Sequence, residues 1–180
     1  MNEVTDSLED IQAEIHELAL KIKAALIERG EMMATAESCT GGLIASSIVN
    51  EAGSSAILKG GIVAYQNEVK EALLGVPEAI LSAKGAVSAE TVEAMAKGAL
   101  QQFNCEWAVS TSGIAGPGGA EPGKPVGTVW MCVANREKCE SFYKIFSGNR
   151  EKIREKSVYT VLGKLFFAIN NQKSTCTNEH

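Results

Sequence analysis

The order of apolar runs along the chain predicts an α/β fold: one domain, three layers, with helices packed on a mixed β-sheet. Three observations carry this prediction. Short apolar runs of strand length alternate with stretches of helical periodicity. Two late strand-like runs, 126–134 and 139–146, flank a turn at Asn135-Arg136 and read as an antiparallel hairpin. No internal repeat and no linker divides the 180 residues, a length that suits one ordinary core.

The elements follow in order. Leu8, Ile11, Ile15, Leu18, Ile22 and Ala25 recur at spacings of three and four, which predicts an amphipathic helix to about Arg29, stopped by Gly30. The stripe also fits a coiled-coil seam and so a homodimer. Three heptads are the minimum for that, and packing on the domain's own core is the reading adopted. Residues 32–36 form a short buried strand. The turn Glu37-Ser38-Cys39-Thr40-Gly41-Gly42 leads into helical residues 43–49. A second strand is expected over 60–66 and a helix over 68–74. Pro77 opens a helical turn through Leu81. Ser88 is placed to cap a longer helix reaching Phe103. Residues 107–111 make a strand, and the Gly- and Pro-rich stretch 112–125 makes a loop. Residues 149–170 close the domain, so its bounds are set at 1–170. The polar stretch 171–180 is expected to be a disordered tail.

Composition removes several function classes. The net charge is −5, with 45% hydrophobic and 22% charged residues, a globular balance without the basic stripe of a nucleic-acid binder. The first twenty residues carry Glu3, Asp6, Glu9, Asp10 and Glu14, unlike a secretory signal. No apolar run approaches the roughly 20 residues of a membrane span, so a cytoplasmic protein is expected. The cysteines at 39, 105, 132, 139 and 176 contain no Cys-x-x-Cys pair, which leaves no zinc ribbon or redox motif.

The two histidines, His16 and His180, are poor partners for a distant nucleophile. A Ser-His-Asp triad, a Cys-His pair and a histidine zinc site are all disfavoured. A hydrolase built here would need another base, and lysine leads. Two short motifs are set aside. Gly118 to Lys124 fits part of a phosphate-binding loop, but Pro125 stands where Ser or Thr is required. Ser141 and Lys144 spell Ser-x-x-Lys on a strand, where positions three apart face opposite ways.

Four segments remain. In the first, Thr35 to Gly42, Ser38 sits between a strand end and a helix start. The N–H groups of that helix start can hold an oxyanion or a phosphate. Alternatively, Ser38 or Thr40 simply caps the helix. Cys39 could attack instead, but it lacks a histidine to ionise it. The second segment runs from Gly60 to Lys70, with Tyr65 at a strand end and Lys70 about one turn into the next helix. Lys70 is either a solvated surface lysine or a base. As a base its pKa must fall from about 10.4 to about 7, a cost of about 4 kcal/mol that burial can impose. In the third segment, Ser112 to Gly119, a Gly-rich loop after a strand can cradle an anion or serve only as a turn. In the fourth, Phe146 to Arg150, a cation at a helix start works against the helix dipole and invites an anionic partner. A surface carboxylate would answer that equally well.

Taken together, these segments resemble the C-terminal domain of the CinA family, in particular its stand-alone nicotinamide-nucleotide amidases. Gly53-Ser54-Ser55, Gly85-Ala86-Val87-Ser88 and residues 124–130 extend the match over most of the chain. The resemblance implies an α/β/α sandwich and hydrolysis of nicotinamide mononucleotide to nicotinic acid mononucleotide and ammonia, with no metal or organic cofactor. By position, Ser38 is expected as nucleophile and Lys70 as general base, with Tyr65 relaying or orienting protons. Thr40, Gly41, Gly42, Ser112, Gly113, Gly116 and Arg150 are expected to contact substrate, Arg150 as the phosphate anchor. The family's larger form carries an N-terminal domain without counterpart in this sequence, so no activity of that domain is expected. Competing readings are a non-catalytic nucleotide- or partner-binding module and an amidase for a different carboxamide. A phosphoryl-transfer enzyme is least favoured, because no phosphate-binding lysine motif or acidic metal site is present.

Overall fold

A computed structural model describes residues 7–172 of the chain. The elements are α1 (Leu8–Arg29), β1 (Met33–Glu37), α2 (Leu43–Val49), a 3-10 turn (Ser54–Ala56), β2 (Leu58–Val63), α3 (Asn67–Leu74), α4 (Glu78–Lys84), α5 (Ala89–Phe103), β3 (Trp107–Gly113), β4 (Thr128–Asn135), β5 (Cys139–Ile145) and α6 (Arg150–Asn171). The strands form one sheet in the order β2-β1-β3-β4-β5. β1 runs parallel to β2 and β3, whereas β3–β4 and β4–β5 are antiparallel. This is the mixed sheet expected from the sequence.

Helices cover both faces of the sheet. Ile15, Ile22 and Leu26 of α1, Ile44 and Ile48 of α2, and Val158, Leu162 and Leu165 of α6 pack on one face with Met33, Val109 and Met131. Leu74 of α3, Leu81 of α4, and Val92, Met95 and Ala99 of α5 pack on the other with Ala34, Ala36, Ala108 and Cys132. Fully burying a Leu or Ile side chain contributes about 1.5–3 kcal/mol, so these two clusters hold the layers together. The stripe of α1 (Ile11, Ile15, Ala19, Ile22 and Leu26) is buried within the chain, largely against α6. It is therefore core, with Leu18 and Ala25 packed at its margin.

Local chemistry sets the helix ends. The Ser7 side chain accepts from the Asp10 N–H, and Gly30, at φ 63°, closes α1 in the left-handed conformation. Ser88 caps α5 by accepting from the Thr91 N–H. Midway along α5, a Cβ at Gly98 would collide with the Leu74 carbonyl oxygen. This close approach seats the end of α3 against α5, and with it the helix that carries Lys70.

Several boundaries differ from the sequence expectation; β4, for one, begins at Thr128 rather than 126. β2 spans Leu58–Val63 rather than 60–66, because its partner β1 ends at Glu37, opposite Val63. One further bond, from Ala64 N–H to the Glu37 carbonyl, closes the ladder, and the chain then turns into α3. β3 runs on through Ser112 and Gly113, residues assigned to the loop, because Trp130 and Val129 of β4 pair with them. α4 continues past Leu81 to Lys84. α6 ends at Asn171, and the rest of the expected tail, 173–180, lies outside the described residues. Among the described residues, no helix is long and apolar enough to cross a membrane.

The topology has one consequence for function. The parallel strands β1, β2 and β3 all end at the same edge of the sheet. β4 begins there and β5 ends there, handing the chain to α6. All four segments singled out in the sequence therefore converge above the carboxyl ends of the parallel strands, where open α/β sheets bind ligands.

Candidate active site

Ser38 leaves β1 with its backbone pinned. Its N–H donates to the Thr111 carbonyl (2.9 Å), and its own carbonyl accepts from Gly41 (3.1 Å). The residue is 8% exposed. Glu37, immediately before it, is fully buried and organises the turn. Its Oε2 accepts from the Thr40 hydroxyl (2.7 Å), the Gly42 N–H (2.9 Å) and the Ile44 N–H (3.1 Å), and its Oε1 accepts from the Ala45 N–H (2.9 Å). One carboxylate thus takes up the free donors at the start of α2, where negative charge is favoured by the helix dipole.

This changes the reading of the turn. Neither Ser38 nor Thr40 caps α2: the N-cap is Gly42, which has no side chain, and Glu37 does the capping from the strand. The N–H groups expected to hold an oxyanion or phosphate are engaged by Glu37. Thr40, expected to touch substrate, is fully buried, and its hydroxyl also meets that of Thr111 at 2.7 Å. Its carbonyl accepts from Arg154 Nη2 (2.7 Å). Gly41 and Gly42 adopt positive φ, 62° and 92°, and complete the turn.

Lys70 is 1% exposed, one of the largest fully buried side chains. Its Nζ donates to the carbonyls of Ala64 (2.9 Å) and Tyr65 (3.0 Å) and lies 3.3 Å from Ser38 Oγ. Burial lowers its pKa from the ordinary lysine value. A neutral amine has two N–H bonds and one lone pair. In that form, with both N–H bonds on the carbonyls, the lone pair would be left for the Ser38 hydroxyl. Cys39, by contrast, is buried, and desolvation pushes its thiol up to about 12, with Glu37 adding to the effect. It is an inert neighbour. His16 pairs with Glu51 (2.6 Å), at the far end of α2 from Ser38.

The Tyr65 contact with Lys70 is made by the backbone carbonyl. The side chain is 58% exposed, and its hydroxyl accepts from Arg150 Nη2 at 3.4 Å. The phenol therefore lies beside the cation rather than on the lysine. Arg150 opens α6, behind the N-cap Asn149, whose side chain accepts from the Lys152 N–H. Its Nη1 donates to the Gly116 carbonyl (2.8 Å). Gly116 has φ 77°, and a Cβ there would press on Val126, so the loop needs glycine at this position. Ser112 is buried and its hydroxyl donates to the Ala86 carbonyl (2.7 Å), tying β3 to the 85–88 turn. Gly113 packs directly on Thr128 and Val129.

The structure thus brings Ser38, Lys70, Tyr65, Gly116 and Arg150 to one edge, and uses Thr40 and Ser112 as internal struts. Sequence reasoning missed two residues. Glu37 is one, although a carboxylate between a buried strand and a helix start is a capping signal. Arg154 lies four residues after Arg150 and so on the same face of α6, a spacing open to inspection. The discarded motifs also resolve. Lys124 donates to the Lys84 carbonyl beside an isolated bridge to Glu121, and Ser141 donates to Glu93.

Comparison with known proteins agrees with this architecture. The family model of the CinA C-terminal domain matches residues 15–169. The CinA-like protein of Anaeromyxobacter dehalogenans (strain 2CP-C) is 44% identical over 153 residues, covering 85% of this chain and 38% of that protein. That of Geobacter sulfurreducens is 50% identical over 135 residues, covering 75% of this chain and 33% of that protein. The chain therefore spans well under half the length of these relatives. Among solved structures, competence damage-inducible protein A (ComA) from Klebsiella pneumoniae superposes with a TM-score of 0.86 at 35% identity, covering 88% of this chain and 99% of that one. The competence/damage inducible protein CihA from Agrobacterium tumefaciens gives 0.85 at 41% identity, covering 88% and 96%. In sequence and in fold, this chain belongs to the CinA C-terminal domain family.

Proposed function

We propose that the chain is a serine amidohydrolase acting on a carboxamide, with nicotinamide mononucleotide as substrate and nicotinic acid mononucleotide and ammonia as products. The observation that carries this reading is the Ser38–Lys70 pair, 3.3 Å apart, with the lysine buried and held by two backbone carbonyls. Ser38 attacks the carboxamide carbon while Lys70 takes its proton. The proton then passes to the departing amine, ammonia leaves, and water hydrolyses the acyl enzyme with Lys70 again as base. A positioned base of this kind contributes about 10²–10⁴ in rate. Arg150, exposed at a helix start, supplies a cation for the phosphate, and the Tyr65 ring beside it offers an aromatic face to the base.

The test is ammonia release from nicotinamide mononucleotide by the purified chain, beside a Ser38→Ala control. Release that disappears in the control supports both the amidase and its nucleophile. A folded wild-type chain that releases none, while releasing ammonia from another carboxamide, would move the substrate assignment. Binding of the nucleotide without turnover of any carboxamide would overturn the enzymatic reading.

A further inference from the structure

Away from this site, the hairpin brings two cysteines together. In the β4–β5 register, Cys132 stands opposite Ser141 and Cys139 opposite Ala134, so the two cysteines are diagonal neighbours on one face of the sheet. Their sulfurs are 3.3 Å apart. Cys132 is fully buried. Cys139 is partly exposed and lines a cavity of about 630 Å³ with Lys97, Gln101, Asn104, Arg136 and Lys138, a volume in the range that seats a small molecule. Glu137 also lines it, and Arg136 is paired with Glu106 (3.5 Å), so Lys97 and Lys138 are the other cations of its wall. The Glu93 carbonyl lies 3.9 Å from the Cys139 sulfur on the inner side. The two thiols are not equivalent. The contact with Cys132 lowers Cys139 from the ordinary thiol range against the opposing effects of burial and the Glu93 carboxylate, and Lys97 assists; Cys132 is driven up by that same contact and by desolvation.

We propose that Cys132 and Cys139 form a thiol–disulfide exchange site for an anionic low-molecular-weight disulfide, with Cys139 attacking and Cys132 resolving. The Cys139 thiolate attacks one sulfur of the small disulfide. A mixed disulfide forms, and the first small thiolate leaves and takes up a proton. Cys132 then attacks the Cys139 sulfur, its proton passing to the departing second thiolate. Two protein thiols are oxidised to one disulfide, and one small disulfide is reduced to two thiols. Six residues lie between the cysteines, across a turn, so no Cys-x-x-Cys spacing marks them. β5 is the edge strand of the sheet and can give as the sulfurs close. The proposal is independent of the amidase reading.

The experiment treats the full chain under native conditions with oxidised glutathione, quenches by alkylation and maps peptides without reduction. The expected result is a Cys132–Cys139 disulfide that dithiothreitol removes. Cys105 is the internal control. It lines the same cavity, but burial, with Glu106 adding to it, pushes its thiol up to about 11, and it should be left largely unreacted. Cys132→Ser should accumulate a stable glutathione adduct at Cys139, and Cys139→Ser should leave Cys132 unmodified. Wild-type protein that keeps a stable adduct at Cys139 with Cys132 free, or in which neither cysteine reacts faster than Cys105, would overturn the proposal. The wild-type measurement decides even if a substitution in the core impairs folding.

Discussion

Two strand-to-helix junctions meet at the same edge of the sheet and are finished in opposite ways. At β1–α2, the buried carboxylate of Glu37 satisfies the helix start from within, so the turn that carries Ser38 is sealed and rigid. At β5–α6, Asn149 caps the helix and exposed Arg150 stands in its first turn, where its charge adds to the positive end of the dipole. No carboxylate among the described residues pairs with Arg150, and its partners are the Gly116 carbonyl and the Tyr65 hydroxyl. In the proposed reaction, one junction holds the nucleophile in place and the other offers a cation to an anionic group. The same local pattern of strand, glycine and helix start serves both ends because one charged residue differs in sign and burial.

The largest predicted effects break the sealed junction's chemistry. Ser38→Ala and Lys70→Met should each lower carboxamide turnover by about 10²–10⁴ while circular dichroism stays unchanged. Near wild-type rates in either variant would remove the role assigned to it. The same lysine gives a pH signature. Burial lowers its pKa in the folded chain, so kcat/KM should rise with pH and level off below the ordinary lysine value of 10.5. For stability, the unfolded chain binds the extra proton between the two pKa values. Wild type should therefore gain stability relative to Lys70→Met as pH rises through that window, and its burial penalty should be full below the folded-state pKa. Denaturant titrations of both proteins across alkaline pH check the sign.

Glu37→Gln comes next. The amide cannot accept from all four donors that the carboxylate serves, and a buried donor left unpaired costs about 1–3 kcal/mol. A fall in the denaturation midpoint of that size, together with lower turnover, would sharpen the contrast; an unchanged midpoint would remove Glu37 as the organiser of the turn. The smallest effect is expected at the open junction. Arg150→Ala should raise KM about tenfold, equivalent to about 1.4 kcal/mol, with kcat little changed. A loss confined to kcat would move Arg150 from ground-state grip to contact with the transition state.

Much of the fold could be read from the chain because it depends on neighbours three or four residues away. The apolar stripe of α1, the stop at Gly30 and the cap at Ser88 fall where periodicity and capping chemistry put them, and the hairpin turn lies one residue later than Asn135-Arg136, with Asn135 closing β4. Strand ends were less legible, since a strand extends only as far as a partner from elsewhere pairs with it, as Ser112 and Gly113 show. The candidate site divides along the same line. Ser38, Lys70 and Arg150 could be picked out by position and kinship. Thr40 and Ser112 could not be recognised as struts, because Thr111 and Ala86, which hold them, are distant in sequence.

By itself, the sequence determined the kind and order of the elements, the polarity of their faces and the family to which they belong, because these follow from residue type and short-range spacing. The tertiary structure decided which donors Glu37 satisfies, that Lys70 is buried with its amine against Ser38, and that two cysteines share a cavity wall. Each of these is a contact between segments far apart along the chain. Hydrogen-bond direction and desolvation, which set what such groups can do, exist only once those segments have packed.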